Sequence, residues 1–384
     1  LVSSSIEDTI EINVDNILIV DDVKSVFSID GNAVEKNREG KLESNIKNNY
    51  SMKNELFDGE GCLDSSYFSK AGKLDKGMVL LRQHMFKSCV FNTNIQQFLK
   101  DNCPSGIEYE KWELKNMFNQ PILAKDVYMI ISPSSLKALK FGHVKGSKKK
   151  MWEHWKNKIK EEGNIFGICK SETQSKRGTD EEGNILNQTS YQMLNSIPLD
   201  LEDVKDLSQF ELSYIEKLKN DDETYIKYLM QNANDMNSNE MLVNLYFRNT
   251  NIVNAKIFKD KRKTDIKKYV NHVKRGKVRL NGDYTTIIGN GKELLYHSIR
   301  KLPVDSKGIL NYEDWKNSMV LFDNEVYTKL HNFDKEYVAF RNPHTSPSNV
   351  LVVRNVYNEF IEKYFNLSEN IIYVNAINFP IQRI

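Results

Sequence analysis

Apolar and polar residues alternate near the start of the chain. In EINVDNILIVDD (Glu11–Asp22), β-branched residues recur at strand spacing and predict a β-strand. The stretch from Ile29 to Tyr50 is rich in Asn, Lys and Glu and predicts a surface loop or a frayed helix. Two glycines then surround one carboxylate in Asp58-Gly59-Glu60-Gly61, which marks a tight backbone turn. The apolar run GMVLLRQHMFKSCVF (Gly77–Phe91) follows and carries Arg82, His84 and Lys87. Val127–Ser132 reads as a short buried strand ended by Pro133, and Ser135–Phe141 as one or two helical turns. Trp152–Glu162 is helical by composition, and Asn164–Lys170 returns to strand.

The pattern changes after Gln188. Pro198 followed by Asp200, Glu202 and Asp203 predicts a helix start, since acids suit the positive end of a helix dipole. Leu207–Lys274 contains neither Pro nor Gly. Phe210, Leu212, Ile215 and Leu218, then Tyr225, Tyr228 and Leu229, recur at helical spacing. Packed helices are expected there. From Gly276 strand periodicity resumes: Tyr284–Ile288 is a β run, a helix begins near Lys292, and Asn349–Val353 is a late strand.

The 384 residues suffice for two or three domains with sizeable cores. No run of 18 apolar residues occurs, so no membrane span is expected. Cys62, Cys89, Cys103 and Cys169 are widely spaced without a CxxC pair, which points to a reducing, cytoplasmic setting and no zinc site. The histidines lack zincin or zinc-finger spacing, and the Gly59/Gly61 and Gly289/Gly291 pairs do not extend to a dinucleotide or P-loop fingerprint.

Net charge is only +2, so the distribution of charge matters more than its sum. Between Lys256 and Arg279 stand eleven Lys or Arg residues against two acids, among them Lys261, Arg262, Lys263, Lys267, Lys268, Lys274 and Arg275. Such a helix can follow a phosphate backbone, or can be a solvated face. A second cluster, Lys145–Lys150, precedes Trp152 and Trp155. Arg82, His84 and Lys87 form a candidate phosphate-facing surface, because half-buried cations need an anion. Asp58 and Glu60 are nearby acids that could instead pair with them.

Several of these segments, in order, resemble the single-chain, two-barrel RNA polymerases: the eukaryotic gene-silencing RNA-dependent RNA polymerases and their phage and bacterial mobile-element relatives. The matching residues are the Asp58-Gly59-Glu60-Gly61 turn, Arg82, Phe86-Lys87-Ser88 (where the family has Gly for Ser88), the strand Asn164–Lys170, Tyr191-Gln192-Met193-Leu194, Gly289-Asn290-Gly291, and Arg341-Asn342-Pro343-His344 with Pro347. The resemblance implies an α+β chain. Residues 1–55 would be an N-terminal strand and surface segment, 56–170 a first double-psi β-barrel, 171–275 a helical connector, and 276–384 an incomplete second double-psi β-barrel. It implies template-directed RNA synthesis from nucleoside triphosphates on a single- or double-stranded nucleic-acid template. Lys87, Arg82 and His84 would be catalytic, and Arg341, Pro343 and His344 substrate-binding, with Arg341 at the ribose. Asp58, Gly59 and Gly61 would form the structural turn. Mg²⁺ is the implied cofactor, held by an Asp-x-Asp-Gly-Asp loop that these residues lack, so the chain is expected to be a fragment that is inactive alone. Two alternatives stay open: a nucleic-acid-binding module without catalysis, and an unrelated phage or mobile-element structural protein.

Overall fold

The structure, a computed structural model, describes residues 6–195, 197–341 and 349–377. Its first half is built on short strands: β1 (Asp8–Glu11), β2 (Ile17–Ile19), a long hairpin of β3 (Lys24–Lys36) and β4 (Leu42–Glu55), β5 (Glu60–Asp64), β6 (Met78–Gln83) and β7 (Phe86–Thr93). A small ribbon of β8 (Glu113–Lys115) and β9 (Pro121–Leu123) precedes β10 (Met129–Ile131) and β11 (Ile165–Ser171). Seven of these make one sheet in the order β1-β11-β6-β7-β5-β10-β2, with β5/β7 and β10/β2 parallel and its other pairs antiparallel.

This sheet cannot be flat. Strand spacing of ~4.8 Å would put the outer strands of a flat seven-stranded sheet about 29 Å apart. Those outer strands are β1 and β2, joined by residues 12–16 alone, a link that reaches only about 20 Å. The sheet therefore curls, giving a mixed α+β half-barrel. Its concave core holds Ile10, Phe86, Ile131, Phe166 and Ile168, closed by Trp152, Trp155 and Ile159 of α3 (Lys148–Glu161). The two tryptophans are thus core residues, while Lys145–Lys150 beside them are exposed. Two shorter helices, α1 (Ser65–Lys70) and α2 (Ile95–Asp101), follow β5 and β7; Asp64 caps α1 by accepting the Ser66 N–H at 3.1 Å.

Contacts divide the chain into two compact units, one comprising 1–174, 285–339 and 351–384, the other 175–284 and 340–350. The second unit contains α4 (Tyr191–Asn195), α5 (Leu201–Asn220), α6 (Asp222–Gln231), α7 (Asn239–Arg248) and α8 (Lys256–Val273), with a ribbon of β12 (Leu186–Gln188) and β13 (Arg279–Asn281). The expected helix start is realised: Asp200 accepts the Glu202 and Asp203 N–H groups, and Asp203 returns the bond in a capping box. Leu218, Tyr225, Ile226, Leu229, Leu242 and Phe258 form the core of this unit.

A buried ion pair binds its elements together. Glu211 of α5 is 1% exposed and accepts the Arg279 Nε at 2.9 Å, Nη2 at 3.2 Å and backbone N–H at 2.8 Å. Tyr269 of α8 donates its hydroxyl to the same carboxylate, and Arg279 lies 4.5 and 4.4 Å from the Phe210 and Tyr214 ring centroids.

The last part of the first unit forms a five-stranded sheet in the order β14 (Thr286–Gly289), β18 (Ile371–Val374), β15 (Glu325–Thr328), β17 (Val350–Asn355), β16 (Lys335–Phe340). Its helices are α9 (Gly291–Ser298), α10 (Tyr312–Trp315) and α11 (Glu359–Tyr364). One hydrophobic cluster runs from Leu18, Phe57 and Phe91 through Phe98 to Leu294, Tyr327, Phe365 and Tyr373, so both sheets of this unit share a core. No described helix is long and apolar enough to cross a membrane.

The stretch 29–50, expected as a loop or frayed helix, lies instead within strands over 24–55. They form a two-stranded ribbon whose residues from Leu42 to Glu55 are almost all exposed. The hairpin closes through the Asn37 N–H donated to Lys41 O at 2.8 Å, with Gly40 at φ +80°.

Candidate functional site

The Asp58-Gly59-Glu60-Gly61 segment is a tight turn, as its glycines predict. Gly59 adopts φ +72°, a region costly for any residue with a Cβ. At Gly61 a Cβ would lie 3.0 Å from both Ile130 O and Ser88 Oγ. Serines brace this turn. Gly59 N–H donates to Ser134 Oγ at 2.7 Å, Ser132 Oγ donates to Phe57 O at 2.8 Å, and Ser88 Oγ donates to Gly59 O at 3.4 Å while accepting Ser135 Oγ at 3.0 Å. Ser88 is buried, so its hydroxyl serves as a strut between β7 and the turn.

Lys87 sits on β7, one residue before that strut, and pairs directly across from Arg82 on β6. Residues directly opposite in an antiparallel pair share a face, so two cations stand side by side, both exposed. Lys87 makes no ion pair with Asp58 or Glu60. His84 occupies the β6–β7 turn at φ +46°, and its Nε2 lies 2.6 Å from Glu162 Oε2, a contact that lowers the Glu162 carboxyl below its usual range.

Glu60 turns away from this surface and into the core. Its Oε2 accepts the Gly289 N–H at 3.2 Å, and its buried Oε1 has no partner among the described residues. Burial raises the Glu60 carboxyl well above the usual carboxylate range, and nearby Glu293 adds to the effect. Glu293 is itself buried and raised, though Trp315 Nε1 donates to it at 2.7 Å. The same α9 carries His297, 5% exposed, stacked on Phe57 with its Nε2 unpartnered among the described residues; burial, then Arg300, push it down to about 4. Cys62 lies two residues on from Glu60 along β5 and Cys89 directly across from it on β7, and burial pushes the Cys89 thiol up to about 12 and the Cys62 thiol up as well. Neither is a thiolate nucleophile at neutral pH. Local periodicity carried no signal for Glu293 or His297, because their environments arise from packing between segments over two hundred residues apart.

Of the remaining predicted positions, Arg341 is exposed and falls with the second unit, and Pro343 and His344 lie outside the described residues. On α8 the basic residues divide into two groups. Arg262 is committed to packing: Nε donates to Leu218 O at 2.7 Å, Nη1 meets Asp222 at 2.6 Å, and the guanidinium covers Tyr225. Lys261 pairs with Asp265. Lys263, Lys267 and Lys268 on α8, and Lys274 and Arg275 just beyond it, are exposed, and Lys259, Lys263 and Lys267 follow each other at i, i+4 spacing along one face.

Among the described residues no group of three His, Cys, Asp or Glu side chains could hold a metal ion. These described donors do not fit the Mg²⁺ that the resemblance implies. Compared with known proteins, the chain matches no family model and no curated protein.

Proposed function

We propose that this chain is a portion of a single-chain RNA polymerase of the two-barrel kind, and that it contributes the cationic side of a nucleotidyl-transfer site. The observation that carries the reading is the Arg82–Lys87 pair, two like charges directly opposed on one exposed sheet face. A triphosphate between the two side chains meets both cations at once, and the same cations offset charge that develops on a transferring phosphoryl group. The serine-braced turn fixes where β7 presents Lys87. In this reading the curled sheet corresponds to a double-psi barrel, the 276–384 region to part of a second, and Arg341 to a ribose contact.

Equilibrium binding of radiolabelled ATP tests the reading. Lys87→Ala should weaken binding about tenfold or more, the loss of one charge-assisted contact. Lys111→Ala, which removes an exposed lysine paired with Glu108, is the control. Equal affinity of Lys87→Ala and the unmodified protein refutes the assignment. The lysine stripe on α8 favours a second reading, a module that binds nucleic acid without catalysis. That reading gains if single-stranded RNA binds with steep salt dependence while ATP does not bind at all.

A further inference from the structure

We propose that the β3–β4 ribbon is a self-association arm, pairing edge to edge with the same ribbon of a second copy through β4. This inference is independent of the polymerase reading.

The ribbon spans about 40 Å at ~3.3 Å per residue, and along Leu42–Ile46 its β4 edge meets no other described strand. It contains no proline. An open edge of this length is a template for another strand unless something covers it. The register places Val34 opposite Ser44, Asn32 opposite Ile46 and Lys36 opposite Leu42, all on one face. Val34, Leu42 and Ile46 on that face are 65%, 70% and 80% exposed. Six basic and five acidic residues over 24–55 leave the ribbon near neutral, which argues for a protein partner over a phosphate backbone.

The opposite face identifies the partner by its charges. Glu35 and Glu43 are directly opposed there, and Lys47 pairs with Glu35. Glu43 is left with only the Asn37 amide at 2.7 Å and no described cation. The Asn37–Lys41 bond sets the alternation of the ladder, so the backbone groups of Leu42, Ser44 and Ile46 point to the open edge. An antiparallel partner β4 centred on Asn45 uses those groups and brings Glu43 opposite the second copy's Lys47, twice by symmetry. It also sets Ser44 opposite Ile46 of the second copy, which makes Leu42 and Ile46 of the two copies diagonal neighbours within reach of contact. The bulge that sets Asn48 and Asn49 against Asp30 alone, where the register shifts, ends the pairing.

Sedimentation velocity across the micromolar range, together with cysteine cross-linking, tests this arm in the full chain. Asn45→Cys stands on the two-fold axis at a non-hydrogen-bonded site, where the ~4.5 Å Cα separation suits a disulfide. It should give a covalent dimer under mild oxidation, whereas Asn32→Cys on β3 should not. Glu43→Lys should raise the dimer dissociation constant by about tenfold, from two lost pairs turned repulsive, and Glu43→Lys with Lys47→Glu should restore it. A protein that stays monomeric and gives no Asn45→Cys cross-link overturns the proposal. So does a dimer indifferent to Glu43→Lys.

Discussion

Replacing Arg279 by Met isolates the energy stored in the buried ion pair of the helical unit. The methionine keeps much of the volume against Phe210 and Tyr214 but removes the guanidinium that meets Glu211 through Nε and Nη2. Glu211 retains only the Arg279 backbone N–H and the Tyr269 hydroxyl. Because the Glu211 side chain is 1% and that of Arg279 12% exposed, solvent gives little screening. An uncompensated buried charge of this kind costs about 3–5 kcal/mol. That is a large part of the 5–15 kcal/mol that typically holds a domain folded. Urea unfolding followed by circular dichroism at the helical band reads it, since most of the long helices belong to this unit. The companion Glu211→Gln with Arg279→Met should recover a substantial share of the loss, because it removes the stranded charge along with its partner. If Arg279→Met shifts unfolding by less than ~1 kcal/mol, the pair is not the tie inferred from its burial.

The titrating groups of the first unit predict opposing pH effects. Glu60 is raised in the folded protein, so its contribution is greatest when it is protonated and is lost as pH climbs from the ordinary carboxylate value through the raised one. Glu60→Gln should flatten that decline in a plot of melting temperature against pH, and an unchanged slope counts against a buried carboxyl. His297, lowered to about 4, acts in the other sense: stability is complete above the unfolded value near 6.5 and falls by about 3 kcal/mol as pH drops through 4. His297→Gln should remove most of that acid-side loss in the same measurement. Gly61→Ala forces a methyl against Ile130 O and Ser88 Oγ and should destabilise by about 1–3 kcal/mol in chemical denaturation.

Local signals were legible where local physics decides the outcome. The start of α5 could be placed because a capping box needs only Asp200 and the residues just after it. The glycine turn at 58–61 was readable because φ +72° at Gly59 is a property of one residue type. The β3–β4 ribbon was not readable. Its two faces are both solvated, so no alternation survives, and Asn, Lys and Glu are poor strand formers. Its pairing is held by the Asn37–Lys41 closure and the ladder that follows. At the candidate site the sequence named Arg82 and Lys87, but strand register alone sets them opposite each other. The inward turn of Glu60 towards Gly289 and the packing role of Arg262 depend on partners far along the chain or on a neighbouring helix, which periodicity does not encode.

The arrangement of β1 and β2 has a consequence for synthesis on the ribosome. Both strands emerge early, yet β2 waits for β10 and β1 for β11, each more than a hundred residues later. At translation speeds of ~5–20 residues per second, Ile10, Ile12, Leu18 and Ile19 stay without their partners for roughly six to thirty seconds. Chaperone occupancy on nascent chains should therefore be highest before residue 165 has left the exit tunnel, and should fall once β11 closes the curl.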